Sequence, residues 1–262
     1  VPQIGAQRHK HDVINVAQVI EEKINIAVQP AAKSRRRHVE QLKTRWMLLK
    51  QRAQAARIAQ EIGFPVAIKA QVLAGGRGKA GGIRFAATTE EVRMAACALL
   101  GASIHGIPVE AILVEQRLAL QREAYLAVTA DPSRRQPIVL LSLHGGVEIE
   151  ETATQDPARV FQAPVNIREG LSDHVARNIL RRTPGATGAD TLALAPVLCT
   201  LYRTYRTYDC KLVEINPLGL TAEGPVAADA RVDIDDDAIW RHPELGLTPT
   251  EETGRAPTSL EV

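Results

Sequence analysis

Residues 65–83 read PVAIKAQVLAGGRGKAGGI, an apolar run carrying one lysine, Lys69, that leads directly into a basic, glycine-dense loop. Glycine lets a backbone approach an anion closely and adopt positive φ, while Lys69, Arg77 and Lys79 bring charge that backbone N–H groups alone do not supply. Two standard nucleotide motifs fail against it. A P-loop requires G-x-x-x-x-G-K-[ST], but Gly78-Lys79 is followed by Ala80, so the magnesium-binding hydroxyl is missing. Gly76, Gly78 and Gly81 satisfy G-x-G-x-x-G, yet that pattern should open a helix and be answered by an acid about twenty residues on, and neither condition is met. Ile83-Arg84-Phe85-Ala86 reads instead as a second strand. Strand, glycine loop and strand then make a flexible flap over phosphates, as in kinases, which bound nucleotide would order. A glycine-rich surface hairpin is the alternative the loop alone leaves open.

The 262 residues suffice for one large domain or two modest ones, and 45% apolar with 24% charged residues is ordinary for a globular protein. The longest apolar runs fall far short of the roughly 20 residues a bilayer helix needs, so no membrane association is expected. Arg8, His9 and Lys10 without an apolar stretch do not make a secretory signal. Cys97, Cys199 and Cys210 are odd in number and lack C-x-x-C spacing, which argues against a zinc site or a disulfide framework and suits the cytoplasm or an organelle matrix. The net charge of +2 conceals a gradient, because residues 1–60 carry about a dozen Lys and Arg against about four acids, whereas Asp233 to Asp237 are acidic. With 3% aromatics and no nucleic-acid motif, Arg35-Arg36-Arg37 does not make a nucleic-acid surface.

Residues 13–28 have helical apolar spacing, and residues 38–62 read as one long Gln-, Ala- and Arg-rich helix stopped by Gly63 and Pro65. Thr88 with Glu91 forms a capping box for a helix through Leu100, with Met94, Cys97 and Leu100 expected in the core. Residues 111–115, 123–129 and 138–142 read as strands, with a turn at Asp131-Pro132-Ser133. Ser172 starts a helix, and residues 190–208 form another in which Pro196 should produce a kink or a break. Two strands, 211–220 and 226–229, close the pattern around a Glu223-Gly224 turn. The organisation predicted is a basic segment 1–54, a domain 55–245 and a Thr-, Pro- and Glu-rich linker 246–262.

Carboxylates supply the remaining chemistry. Leu113-Val114-Glu115 ends a strand on an acid and Glu123 follows eight residues later, a pair able to accept from adenine or ribose, or simply two surface acids. Residues 145–150, GGVEIE, couple a tight turn to alternating acids. In LVEINPL, residues 212–218, Glu214 and Asn216 lie within an apolar strand, where burial is costly without partners. Asp229 should return to the same end of the sheet, and an amide oxygen with a carboxylate suits magnesium, which keeps water and nucleotide phosphates as its other ligands. A hydrogen-bonded buried Asn without metal is the alternative.

In combination, AIKAQVLAGGRGKAGG, LVE with Glu eight residues on, SLHGGVEIE, and LVEINPL followed by AADARVDIDDDAIWRHPEL resemble, in the same order, the β subunits of succinyl-CoA synthetase, which are ATP-grasp proteins. The resemblance covers about residues 55–245 and implies an α/β (α+β) ATP-grasp fold. It implies that Lys69 and the backbone of Gly76, Arg77 and Gly78 hold ATP phosphates, that Glu115, Leu118 and Glu123 contact adenosine, and that Asn216 and Asp229 bind Mg2+. Glu214 resembles the acid that steadies a phosphohistidine presented by the partner α subunit, with succinate and CoA as later substrates. Gly75-Gly76 leans towards succinate, since the related malate-CoA ligases tend to carry Ala at the second position.

Departures from the family pattern are equally specific. The family's opening E-Y-Q-A-K helix and G-I-P-V-P strand have no counterpart in residues 1–54. His144 stands where an acid is usual, Arg231 replaces a lysine, and one residue is missing between Gly224 and Asp229. The family's C-terminal flavodoxin-like CoA-ligase domain would lie past Val262, so the fold expected is the ATP-grasp part lacking that domain, inactive as an isolated chain. The reading is the ATP-grasp half of an ADP-forming succinate-CoA ligase β subunit. An inactive nucleotide-binding remnant, a malate-CoA ligase or a carboxylate-amine ligase are the alternatives.

Overall fold

The computed structural model describes residues 46–49, 52–72, 76–145 and 156–245. The expected helix at 13–28, Gly75, the GVEIE stretch 146–150 and the tail 246–262 lie outside the described residues. The chain divides into two units at Gln121/Arg122.

The first unit is built on a sheet of order β1-β6-β2-β3, formed by β1 (Trp46–Leu49), β2 (Val66–Gln71), β3 (Ile83–Ala86) and β6 (Ala111–Gln116), all antiparallel. Its helices are α1 (Arg52–Ile62) and α2 (Thr89–Leu99), and a short hairpin joins β4 (Ser103–Ile104) to β5 (Ile107–Pro108). His105 and Gly106 both have positive φ, 50° and 79°, as the tightest hairpin turns require. Alternation sorts the strands: Val66, Ile68, Ala70, Ile112 and Val114 pack against Ala55, Ile58 and Ala59 of α1 and Val92, Ala95, Ala96 and Leu99 of α2. Each fully buried isoleucine in this layer contributes about 1.5–3 kcal/mol.

Three expectations are corrected here. The helix predicted over 38–62 is interrupted by strand β1, and α1 starts only at Arg52. Four apolar residues, WMLL, pair with Ile112 to Glu115 of β6, and this long-range ladder overrides the helical propensity of their neighbours. Helix α2 begins at the expected Thr88 cap, whose hydroxyl accepts from Glu91 N–H at 3.2 Å, but the Glu91 carboxylate accepts from Ala87 N–H rather than closing on Thr88. Met94 and Cys97 are exposed, not core, because the buried stripe runs Val92, Ala95, Ala96, Leu99 at the i, i+3, i+4, i+7 spacing.

In the second unit the order is β11-β10-β7-β8-β9, from β7 (Arg122–Asp131), β8 (Gln136–Ser142), β9 (Phe161–Pro164), β10 (Cys210–Thr221) and β11 (Gly224–Ala227), with β12 (Ala230–Ile234) also pairing β10. One face, with Ala124, Leu126, Val128, Val139, Leu141, Val213 and Ile215, packs with α3 (Asp173–Arg182) and α4 (Gly188–Thr207). Ser172 caps α3 as expected. Helix α4 runs on through Pro196, which marks no break; the ring removes only the donor that would reach the carbonyl of Leu192, an exposed position. The final strand predicted at 226–229 is two strands, β11 and β12, that share β10 as partner.

Candidate functional site

In the first unit the strand positions that alternate with the helix-packed residues carry the chemistry. Lys69 is 7% exposed although charged, and its Nζ lies 2.5 Å from Oε1 of Glu115. Lys69 is opposite Leu113 and Ala67 is opposite Glu115, so lysine and glutamate are diagonal neighbours on one face. Burying a lysine this far is costly without a partner of this kind.

The described part of the glycine loop, residues 76–82, closes on itself through backbone hydrogen bonds. Gly82 N–H donates to the Arg77 carbonyl at 2.8 Å and Gly81 N–H to the Gly78 carbonyl at 3.1 Å, while Gly81 has φ 77°. This nested pair closes a helical turn with a left-handed glycine at its end. The turn is seated on β2: Gly82 O accepts from Ala70 N–H at 2.7 Å, and Arg77 Nη1 donates to Ala70 O at 3.0 Å. Gly82 admits no side chain, because a Cβ there would lie 2.6 Å from Ile104 Cδ1 and 2.8 Å from the Arg77 carbonyl. The N–H groups of Gly76, Arg77 and Gly78 lie at the start of the turn. Leu118, half-buried, lies in the 117–121 connection, where Arg117 N–H donates to Pro65 O at 2.9 Å.

The second unit holds the other candidates. Glu214 on β10 accepts from the Tyr125 hydroxyl at 3.2 Å, and Arg231 Nη1 lies 4.0 Å from its other oxygen. Glu214 is opposite both Ala127 on β7 and Arg231 on β12. Glu123 and Tyr125 therefore share the face of Glu214, away from the helices. The β10–β12 ladder ends at Ile215↔Ala230, and just past it Asn216 N–H donates to the Asp229 carbonyl at 3.0 Å. The β10–β7 register shifts at Asn216-Pro217, where proline can offer no N–H to the ladder. Among the described residues no three His, Cys, Asp or Glu form a metal cluster. The side chains that Asn216 and Asp229 carry, an amide and a carboxylate, are of the oxygen-donor type that magnesium takes.

His144 is exposed, and its N–H donates to Ser142 Oγ at 3.2 Å. Gly145 lies against the start of β7: its N–H donates to the Glu123 carbonyl at 3.1 Å, and a Cβ would fall 2.6 Å from the Ala124 carbonyl oxygen. Sequence reasoning missed Tyr125, whose place two residues after Glu123 in an alternating strand was the available signal. It also missed the ion pair of Arg122 with Asp190, 68 residues apart, for which the sequence offers none.

Residues 34–220 match the ATP-grasp domain family. The ADP-forming succinate–CoA ligase β subunit of Methanothermobacter thermautotrophicus is 39% identical over 192 residues, covering 73% of this chain and 52% of that protein. The GDP-forming β subunit of Thermus thermophilus is 41% identical over 193 residues, 73% of this chain and 50% of that one. The chain thus spans about half the length of the curated relatives it matches. Among solved structures, ATP citrate lyase from Methanothrix soehngenii in complex with citrate and coenzyme A aligns with TM-score 0.63 at 22% identity, over 91% of this chain and 56% of that one. The acetyl-coenzyme A synthetase 1 of Ca. Korarchaeum cryptofilum gives TM-score 0.62 at 22% identity, over 84% and 91%. At such identities these structures speak for the fold alone. No described helix is long and apolar enough to cross a membrane. With both the domain match and the β-subunit relatives in hand, the chain belongs to the ATP-grasp family.

Proposed function

We propose that this chain binds ATP with magnesium as the nucleotide-binding part of an ADP-forming succinate-CoA ligase β subunit, acting with an α subunit in the cytosol or an organelle matrix. The observation that carries the reading is the nearly buried Lys69, paired with Glu115 and followed by the closed glycine turn seated on its own strand. Lys69 and the N–H groups of Gly76, Arg77 and Gly78 hold phosphate oxygens, and Glu115, Leu118 and Glu123 contact the nucleoside. Asn216 and Asp229 hold magnesium, which neutralises charge on the phosphates when bound. The γ-phosphoryl passes to an imidazole nitrogen of a histidine on the α subunit: the new N–P bond forms as the bond to the β–γ bridging oxygen breaks, and ADP leaves. Glu214, fixed by Tyr125 and Arg231, orients that imidazole through its remaining N–H. Succinate then takes the phosphoryl group and CoA displaces phosphate.

The test is to mix the chain with an α subunit and ATP labelled at the γ position. The expected result is acid-labile, base-stable label on the α subunit, lost in Glu214→Gln while ATP binding persists. Nucleotide binding without any such label under these conditions would reduce the reading to a binding module.

A further inference from the structure

Between the two units the chain passes through residues 117–121, and the first residue beyond is Arg122. Its guanidinium grips the carboxylate of Asp190 with both terminal nitrogens, Nη2 closely on Oδ1 and Nη1 at 3.5 Å from Oδ2. Asp190 is also the third residue of α4, where its carboxylate accepts from Thr187 N–H at 2.9 Å and Thr187 Oγ1 at 2.7 Å, and its own N–H donates back to Thr187 Oγ1 at 3.1 Å. Capping alone does not explain this residue. Acids in a first helical turn are ordinarily solvated, whereas Asp190 is 2% exposed and turned towards a strand 68 residues earlier.

Three ties converge on the opening of β7. Arg122 and Glu123 pair with Leu220 and Gly219 of β10, Gly145 donates to the Glu123 carbonyl, and Asp190 holds Arg122. The first two fix backbone, and the third ties the side chain of the first strand residue to α4. We propose that Asp190 is a positioning residue that, acting through Arg122, anchors the end of the connection and so sets the placement of Glu123 for the nucleoside. This rests on the assignment of Glu123 to adenosine given above. The carboxylate needs all its ligands at once: the Thr187 contacts hold it still, and its charge holds Arg122.

The experiment compares Asp190→Asn, which keeps an acceptor for the Thr187 cap, with Arg122→Gln, Arg122→Lys and the double variant Asp190→Asn/Arg122→Gln. Calorimetry with MgATP and with magnesium tripolyphosphate separates nucleoside from phosphate contacts. MgATP affinity is expected to fall about three- to tenfold in either neutralised single, the scale of one hydrogen bond, with little further loss in the double and partial recovery in Arg122→Lys. Tripolyphosphate affinity is expected to stay unchanged. Equal losses for both ligands, or no loss of MgATP affinity, overturn the proposal. Amide exchange supplies a readout independent of nucleotide: Gly145 and residues 122–124 should exchange faster in Asp190→Asn while β2 and β6 do not, and unchanged exchange there overturns the anchor itself. A wild-type chain that binds tripolyphosphate but shows no advantage for MgATP refutes the nucleoside reading, and the proposal with it, even if the exchange result stands.

Discussion

Replacing Lys69 by Met separates what the lysine does for the fold from what it does for phosphate. The Glu115 side chain is 17% exposed and its oxygen lies 2.5 Å from Nζ, so the substitution strands a largely buried carboxylate. Breaking a fully buried pair from one side costs about 3–5 kcal/mol, and the partial access of water to Glu115 brings the expected loss to about 2–3 kcal/mol. Lys69→Met/Glu115→Met removes both charges at similar volume and should return to within about 1 kcal/mol of wild type, because an apolar pair has no desolvated charge left to satisfy. Ligand binding should not recover with it: MgATP affinity in the double variant stays weaker by about 1.5–3 kcal/mol, the scale of a charge-assisted contact. Urea unfolding measures the first effect and calorimetry the second. Additive destabilisation of the two singles would refute the coupling, and wild-type MgATP affinity in the double variant would remove Lys69 from the site.

Gly82→Ala should destabilise by about 1–3 kcal/mol and weaken tripolyphosphate binding, since its Cβ meets the fixed Arg77 carbonyl at 2.8 Å; wild-type stability in urea would contradict the close approach. Burial works against ionising Asp190, but hydrogen bonds from the Arg122 guanidinium and from the amide and hydroxyl of Thr187 outweigh it and hold the carboxyl below its usual range. The folded pKa is thus below the unfolded one, so this stabilisation is present above the unfolded value of about 3.9 and is lost as pH falls through the folded one; Asp190→Asn should flatten the acid limb of a stability–pH curve, and parallel curves would count against it. Burial pushes the Cys210 thiol up to about 12, whereas Cys97 is exposed. Alkylation at pH 8 should therefore label Cys97 and spare Cys210 until the chain unfolds, as peptide mass mapping would show.

What the sequence made legible was local. The glycine loop, the alternating strands around Lys69, Tyr125 and Glu214, and the Thr88 and Ser172 caps each carry their signal within a few residues. Strand β1 did not, since WMLL has no turn signals around it and becomes a strand only through β6, more than sixty residues on. Met94 and Cys97 went astray because a helical stripe drawn one residue off selects the wrong face. Lys69 and Glu115 each stood out as candidates, but not as each other's partner, because that contact depends on the β2–β6 register. The Arg122–Asp190 pair was hidden for the same reason: nothing near either residue encodes the other.

The closed glycine turn has a consequence for the thermodynamics of recognition. Freezing a backbone residue costs about 1–2 kcal/mol, so seven residues that ordered only on contact would subtract on the order of 7 kcal/mol or more from whatever the anion gains. Residues 76–82 have already met that cost during folding, through the nested glycine bonds and the two bonds to Ala70. An anion docking on the turn then loses its own freedom and little of the protein's. Its heat capacity change should be small, its association fast, and its affinity governed by charge and dehydration rather than by loop closure.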